Sequence, residues 1–318
     1  MEERLLGSTG LRVSSLALGT LTWSRDTDEH EASEQLRDFV DAGGTLVDTA
    51  AHYGDGGAEE LIGALLGDTV SREDVLLCTK AGVRRTPDGG VVDASRGNLL
   101  GTLEASLRRL GTDHVDLWLV QAPDPRTPLT ETVTALEQAL RSGKARYVGL
   151  SDHPAWQAAR VATLLGPGGM AAVEVEYSLL QRGIERELVP AATDLGTGIL
   201  AWSPLGRGVL TGKYRHAIPS DSRAASAHLA GFVEPYLGRT SSPVVEALVT
   251  AAQGLERSPL EVALAWVLSR PAVSSAVVGA RTAAQLRESL ATDVELPEAI
   301  VAALDEVSAP HLGYPERR

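Results

Sequence analysis

Eight short apolar runs, separated by stretches of helical period, constrain this chain more than any other feature. The runs are Leu16–Gly19, Thr45–Asp48, Val75–Thr79, Val115–Val120, Ala145–Leu150, Ala172–Glu176, Gly198–Trp202 and Ser275–Val278. Between most of them lie amphipathic segments, among them Glu31–Ala42, Ala94–Leu110, Thr130–Ser142 and Ile184–Leu195. Glycine steps close several of these helices just before a strand: Ala42-Gly43-Gly44, Ser142-Gly143 and Leu195-Gly196. Eight β–α alternations in 318 residues predict an α/β fold, a closed (β/α)8 TIM barrel, rather than an open sheet. No repeat or linker divides the chain, so a single barrel domain over residues 1–318 is expected. The stretch Arg4–Val13, centred on Gly7-Ser8-Thr9-Gly10, reads as an N-terminal β-hairpin placed to close the bottom of the barrel.

Composition narrows the partners. A net charge of −13 lacks the basic footprint that nucleic-acid binding needs. The single cysteine, Cys78, allows no intramolecular disulfide, which fits a reducing compartment and a cytoplasmic location. It is expected to be a small buried strand residue. Met1–Gly10 has no apolar signal core, and no apolar run approaches a membrane span. The seven histidines show no metal-ligand spacing, so no metal is expected. There is no G-x-G-x-x-G after a strand and no Walker A motif. Gly206–Thr240 is the one long irregular segment, of the kind that is usually functional or disordered. Nothing in the sequence sets an oligomeric state.

In parallel barrels the reacting side chains sit at the C-terminal ends of the strands. That rule selects Gly19-Thr20 and Trp23, Asp48 with Tyr53, Lys80, Gln121, Ser151-Asp152, Glu174, Trp202-Ser203 and Gly279-Ala280-Arg281. An acid, a phenol, an amine and an amide thus fall on successive strands. A free tyrosine, with a pKa of about 10, is a poor acid near neutrality. A nearby ammonium lowers that value, and a carboxylate holds the ammonium in place. Tyr53, Lys80 and Asp48 therefore read together as a tuned general acid. Taken singly each has a plainer reading: a loop cap, a half-buried aromatic and a solvated strand-end charge. The Gly279–Arg281 turn before Ala283–Leu290 reads as a phosphate site, offering free N–H groups and a guanidinium, although many such turns bind nothing.

With these residues in view, Val47-Asp48-Thr49-Ala50-Ala51-His52-Tyr53-Gly54 resembles the aldo-keto reductase signature, and Thr79-Lys80 its lysine segment. Tyr147–Ser151, Ala201–Tyr214 and Val278–Thr282 through Glu288 resemble further family segments, in order, over a match running from about Arg4 to Ala309. The flavour is that of bacterial reductases grouped with potassium-channel β subunits. The resemblance implies a small-molecule carbonyl substrate and NADPH/NADP+ as cofactor. It implies that Tyr53 gives a proton to the carbonyl oxygen, tuned by Lys80 and Asp48, and that Trp202 stacks under the nicotinamide. Ser151 would touch the carboxamide, and Thr20 would also bind the cofactor. Ser203, Pro204, Leu205, Gly206, Gly208 and Lys213 would line the pyrophosphate. Gly279, Arg281 and Gln285 would hold the 2′-phosphate, and Glu288 with Ser289 the adenine. Trp23, His52 and Trp118 would wall the substrate pocket.

Four positions depart from that pattern. Gln121 stands where the family usually has a catalytic histidine; its amide can donate a hydrogen bond but cannot titrate near neutrality. Asp152 and Glu174 replace the amides that hold the nicotinamide carboxamide. Ionised carboxylates lose the donors to its C=O and place negative charge near the ring, which would favour NADP+ over NADPH. Protonated, or turned to solvent, they would bring no such bias. Ser289 replaces an asparagine. Three readings follow: a carbonyl reductase; a cofactor-binding module with little or no catalysis; and a biosynthetic reductase whose unusual substrate dispenses with the histidine.

Overall fold

The computed structural model describes residues 1–86, 89–220, 222–311 and 313. The chain opens with an antiparallel hairpin, β1 (Glu3–Leu5) and β2 (Arg12–Ser14). There follow β3 (Leu16–Gly19), β4 (Leu46–Asp48), β5 (Leu76–Ala81) and a second hairpin of β6 (Val83–Thr86) and β7 (Gly89–Val92). Then come β8 (Val115–Val120), β9 (Ala145–Ser151), β10 (Ala172–Glu176), β11 (Gly198–Trp202) and β12 (Val273–Val278). All except the two hairpins form one closed parallel barrel, in which β12 pairs back to β3 at Ala276–Leu16, Val277–Ala17 and Val278–Leu18. Each of the eight predicted runs is a barrel strand, with ends moved by a residue or two.

Helices Glu29–Asp41, Arg96–Leu110 and Leu129–Arg141 lie close to their expected bounds. The expected helix Ile184–Leu195 is instead a 3-10 turn, Gly183–Glu185, followed by a helix Leu188–Leu195. Glu185 accepts from Tyr177 Oη at 2.7 Å and Arg182 Nε at 2.8 Å, which ties the first turn down separately. The second hairpin was not anticipated. Within Gly206–Thr240 the described residues form short turns and one short helix: Gly206–Thr211, Arg223–Ala225, Ala230–Val233 and Glu234–Tyr236. Residue 221 lies outside the described residues. No helix among the described residues is long and apolar enough to cross a membrane.

The N-terminal hairpin closes one end of the barrel, as expected. Leu6 and Val13 are fully buried and pack with Ala17, Leu46, Cys78 and Leu117 inside the barrel. Gly7 passes so close to the chain that a Cβ there would lie 2.3 Å from the Gly196 carbonyl oxygen, and its φ of +58° independently disfavours a side chain. Cys78 is buried, as the sequence suggested.

Strand alternation sorts the other residues. On β8, Leu117 and Leu119 belong to the cluster inside the barrel, and Trp118 and Val120 to the cluster between barrel and helices. The same alternation puts Asp48 with Leu46, Lys80 with Cys78, Glu174 with Ala172 and Trp202 with Leu200 on the inner face. All four lie on the side of the barrel away from the hairpin plug, Glu174 level with the end of β9 at Ser151, where the closed core gives way to a cavity.

Candidate active site

The cavity has a volume of about 610 Å³. Around its deep part lie Thr20, Asp48, His52, Tyr53, Lys80 and Gln121, with Ser151, Asp152, Glu174 and Trp202 beside them. Ser203, Pro204, Leu205, Gly208 and Lys213 continue the wall. Gly279, Arg281, Gln285, Glu288 and Ser289 also line it. Three expected residues are absent from the lining. Gly206 makes the turn behind it, with φ +54° and Leu180 against the space a Cβ would take. Trp23 is fully buried and donates from Nε1 to Gln35 Oε1 at 3.2 Å. Trp118 is fully buried in the layer between barrel and helices. Its sequence position already excluded it: it is an odd number of residues from Gln121, so the two face opposite sides of one strand.

The centre of the cavity is an ion pair. Lys80 Nζ donates to Asp48 Oδ1 and, at 3.0 Å, to the Thr49 carbonyl oxygen; it also lies 3.1 Å from Glu174 Oε2. All three charged side chains are buried. Burial works against the lysine's charge, but Asp48 and Glu174 outweigh it and hold Lys80 protonated well above its usual range. Asp48, Cys78 and Glu174 bring one ligand atom each within 4.8 Å of one another, and the cation their carboxylates hold is Lys80. Beneath the lysine, Thr79 Oγ1 donates to the buried Glu59 at 2.6 Å, and Glu59 accepts from Arg109 Nε at 2.8 Å. That support locks the strand from its outer side.

Tyr53 follows β4 on a turn in which Gly54 and Asp55 take left-handed backbone angles. Its half-buried ring packs edge-on against His52, with centroids 4.8 Å apart, and Lys80 Nζ is 5.5 Å from its centroid. The expected lowering of its pKa is corrected here. Burial pushes the phenol above its ordinary value; Lys80 opposes this, but Asp48, Glu174 and Asp152 add to the upward push. Tyr53 is therefore held as a neutral phenol, the proton-carrying form.

Asp152 sits at φ +56°, an angle an aspartate tolerates better than most residues. Its Oδ1 accepts from Trp202 Nε1 at 2.9 Å. His153 is buried beside it, which pushes its pKa down to about 4, and its Nδ1 lies 2.7 Å from the Ser151 carbonyl oxygen. A neutral imidazole donating there fixes the turn that presents Asp152.

The anion-friendly part of the cavity differs from expectation in two ways. The first turn of helix Ala283–Leu290 is partly satisfied already: Ala283 N–H donates to Glu31 at 2.6 Å and Gln285 N–H to Thr282 Oγ1 at 3.3 Å. Side chains rather than bare N–H groups thus offer the positive charge. Arg223, from the irregular segment, also lines the cavity; its Nη2 donates to the Gly279 carbonyl oxygen at 3.0 Å. Burial and the neighbouring Arg281 charge push its pKa down, so two guanidinium groups lie close together. Arg223 escaped the sequence reading because no periodicity marks its segment. A basic residue inside a long Gly/Ser/Pro-rich stretch was the available signal.

Arg207 escaped it too. Its φ is +59°, and its guanidinium makes a two-pronged pair with Glu176 at 2.8 and 2.6 Å. It lies 4.2 Å from the Phe232 ring centroid, 5.0 Å from that of Tyr236 and 5.7 Å from that of Trp202. It also donates to the Phe232 carbonyl oxygen at 2.6 Å. One side chain thereby ties the helix Ala230–Val233 to the barrel wall. Arg207→Ala leaves the half-buried Glu176 without its counter-charge and is expected to cost about 1–3 kcal/mol of stability. The denaturant midpoint reads this directly, and an unchanged midpoint contradicts it.

Comparison with known proteins agrees with this architecture. The model of the Aldo/keto reductase family matches residues 15–309. The chain belongs to that family. It is 35% identical to the uncharacterized oxidoreductase YrpG of Bacillus subtilis (strain 168), over 96% of both chains. It is 34% identical to a probable voltage-gated potassium channel subunit beta of Arabidopsis thaliana, over 100% of this chain and 98% of the relative. It is 33% identical to L-glyceraldehyde 3-phosphate reductase of Escherichia coli (strain K12), over 91% of this chain and 87% of the relative. Membership of the aldo/keto reductase family supports an oxidoreductase acting on small carbonyl compounds.

Proposed function

We propose that this aldo/keto reductase family chain is an NADP(H)-dependent carbonyl reductase in which Tyr53 supplies the proton. One observation carries the reading: a neutral phenol beside a buried lysine–aspartate pair lines the same cavity as Lys213, Arg223 and Arg281. The residues fit a phosphorylated dinucleotide. Gly208 has φ +92°, and a Cβ there would stand 3.5 Å from Lys213 Nζ, in the space a phosphate oxygen needs. The Arg281 charge works against that of Arg223, and a 2′-phosphate held by both would relieve it.

When bound, the dinucleotide supplies hydride to the carbonyl carbon. Tyr53 Oη holds the proton that the carbonyl oxygen takes up, so aldehyde or ketone, hydride and proton balance as the alcohol. Asp48 fixes Lys80, whose charge eases the loss of that proton. Gln121 lines the cavity, and its amide NH2 can donate to the carbonyl oxygen and so orient the substrate. Its lack of titration leaves proton delivery to Tyr53. Trp202, held by Asp152, forms the flat wall against which a ring would stack.

The test is NADPH oxidation, followed at the nicotinamide absorbance, over a panel of aldehydes and ketones. L-glyceraldehyde 3-phosphate is a natural first member, given the relative that bears its name. Turnover on some of the panel is expected; tight NADPH binding with no turnover on any of it contradicts the reading. A second expectation concerns cofactor choice. Arg281→Ala and Arg223→Ala should each weaken NADPH about tenfold or more and leave NADH little changed, since each removes a charge-assisted hydrogen bond to the extra phosphate. Equal losses for both dinucleotides in binding titrations would contradict it.

A further inference from the structure

Lys80 has one carboxylate more than it needs. Asp48 alone neutralises the ammonium; Glu174, 3.1 Å from Nζ, is a second. With every group ionised the cluster carries −1, although Asp48, Lys80 and Glu174 are each at most 2% exposed. A carboxyl group escapes the cost of a buried, uncompensated charge by keeping its proton. Geometry decides which of the two does so. Asp48 accepts a hydrogen bond from Lys80, whereas Glu174 Oε2 stands at ion-pair distance with no hydrogen bond among the described residues. Burial and the nearby Asp48 push Glu174 well above the usual carboxylate range, against the pull of Lys80.

Other groups near Glu174 do not take this role. Cys78 is pushed up by burial and Asp48, and Tyr53 by burial, so both stay neutral. On β10 itself, Glu176 is engaged by Arg207. The remaining acid is Asp152, just after β9: burial pushes its pKa up as well, against the hydrogen bond from the Trp202 indole, and the Asp152→Asn variant below separates its share from that of Glu174. What the site lacks is one positive charge, and the two forms of a nicotinamide dinucleotide differ by one at the ring.

We infer that Glu174 couples one proton to the oxidation state of the dinucleotide: it stays a neutral acid beside the uncharged reduced ring and ionises beside the cationic oxidised ring. This rests on the dinucleotide site proposed above. Binding of NADP+ then releases the Glu174 proton to solvent, with no other bond made or broken, and binding of NADPH releases none. The affinity for NADP+ rises with pH until the free protein has itself lost that proton, while the contribution of Glu174 to NADPH binding is flat over the same range.

The experiment titrates the full chain with NADPH and NADP+ separately, from about pH 5 to about pH 9, and follows the ratio of their dissociation constants. Titration of the 2′-phosphate is common to both forms and cancels. The ratio of the NADP+ to the NADPH constant is expected to fall about tenfold per pH unit within the titrating window, the slope of one linked proton. Glu174→Gln should abolish the slope, and Asp152→Asn should keep it. Calorimetry of the unmodified protein in buffers of different ionisation enthalpy should count close to one proton released with NADP+ and none with NADPH; this stands even if a variant fails to fold. A pH-independent ratio in the unmodified protein, or a slope that survives Glu174→Gln, overturns the inference. Failure of both dinucleotides to bind overturns the proposed function, and this inference with it.

Discussion

Tyr53→Phe is expected to slow carbonyl reduction by about 10²–10⁴-fold, the usual worth of a positioned general acid, while dinucleotide binding changes little. The substitution removes one oxygen and keeps the ring that packs against His52 and faces Lys80. The fold and the cavity should therefore survive, which makes the loss a statement about the proton. The pH dependence carries the same argument. Because burial raises the phenol above its ordinary value of about 10, the proton-carrying form persists through neutrality and beyond. Reduction should accordingly show no alkaline limb from this group below about pH 10. Oxidation of the alcohol, which needs the phenolate, should speed up as pH rises. A steady-state profile in both directions checks this; an alkaline fall in the reduction rate near neutrality that vanishes in Tyr53→Phe contradicts it.

Lys80→Met should do the most damage to stability as well as to rate. It leaves Asp48 and Glu174 buried together without their shared cation. Removing one partner of a buried pair typically costs about 3–5 kcal/mol. The cost depends on pH with a definite sign. Without the ammonium the buried cluster is uncharged only when every carboxyl in it is protonated, so the variant's fold is favoured by proton uptake beyond the proton Glu174 already keeps. Stability of that kind is fully present below the unfolded carboxylate value and is lost as pH rises through the raised folded one. The gap between the variant and the unmodified protein should therefore be small near about pH 4 and widen toward alkaline pH. Urea midpoints at acid and alkaline pH measure it, and adding Glu174→Gln should restore part of the loss. A gap that is constant with pH would mean that the charge of this carboxyl cluster does not depend on Lys80.

The barrel was legible because its signals are local. Each strand is a short apolar run closed by glycine or a polar residue, and eight such runs in order leave few alternatives. The inner-face positions Asp48, Lys80, Gln121 and Glu174 followed from strand ends alone. What the sequence hid depends on burial and on contacts between distant segments. The direction of the Tyr53 shift reversed because the low-dielectric surroundings outweigh one ammonium, and no spacing reveals that balance. Asp152 and Glu174 looked alike as replaced amides, yet one is held by the Trp202 indole and the other stands against Lys80. Arg207 and Arg223 lie where the chain has neither period, so their return to the cavity was invisible. Trp118 was the avoidable error, since alternation along β8 already turned it away from Gln121.

The central claim is that hydride reaches a carbonyl in the cavity where Tyr53 holds the proton. The most direct measurement uses NADPH carrying deuterium at the reactive C4 position, an aldehyde substrate, and mass spectrometry of the product. The account predicts an alcohol with one deuterium on the former carbonyl carbon, formed by the unmodified protein and hardly at all by Tyr53→Phe. An unlabelled alcohol, or equal labelling by both proteins, would contradict it.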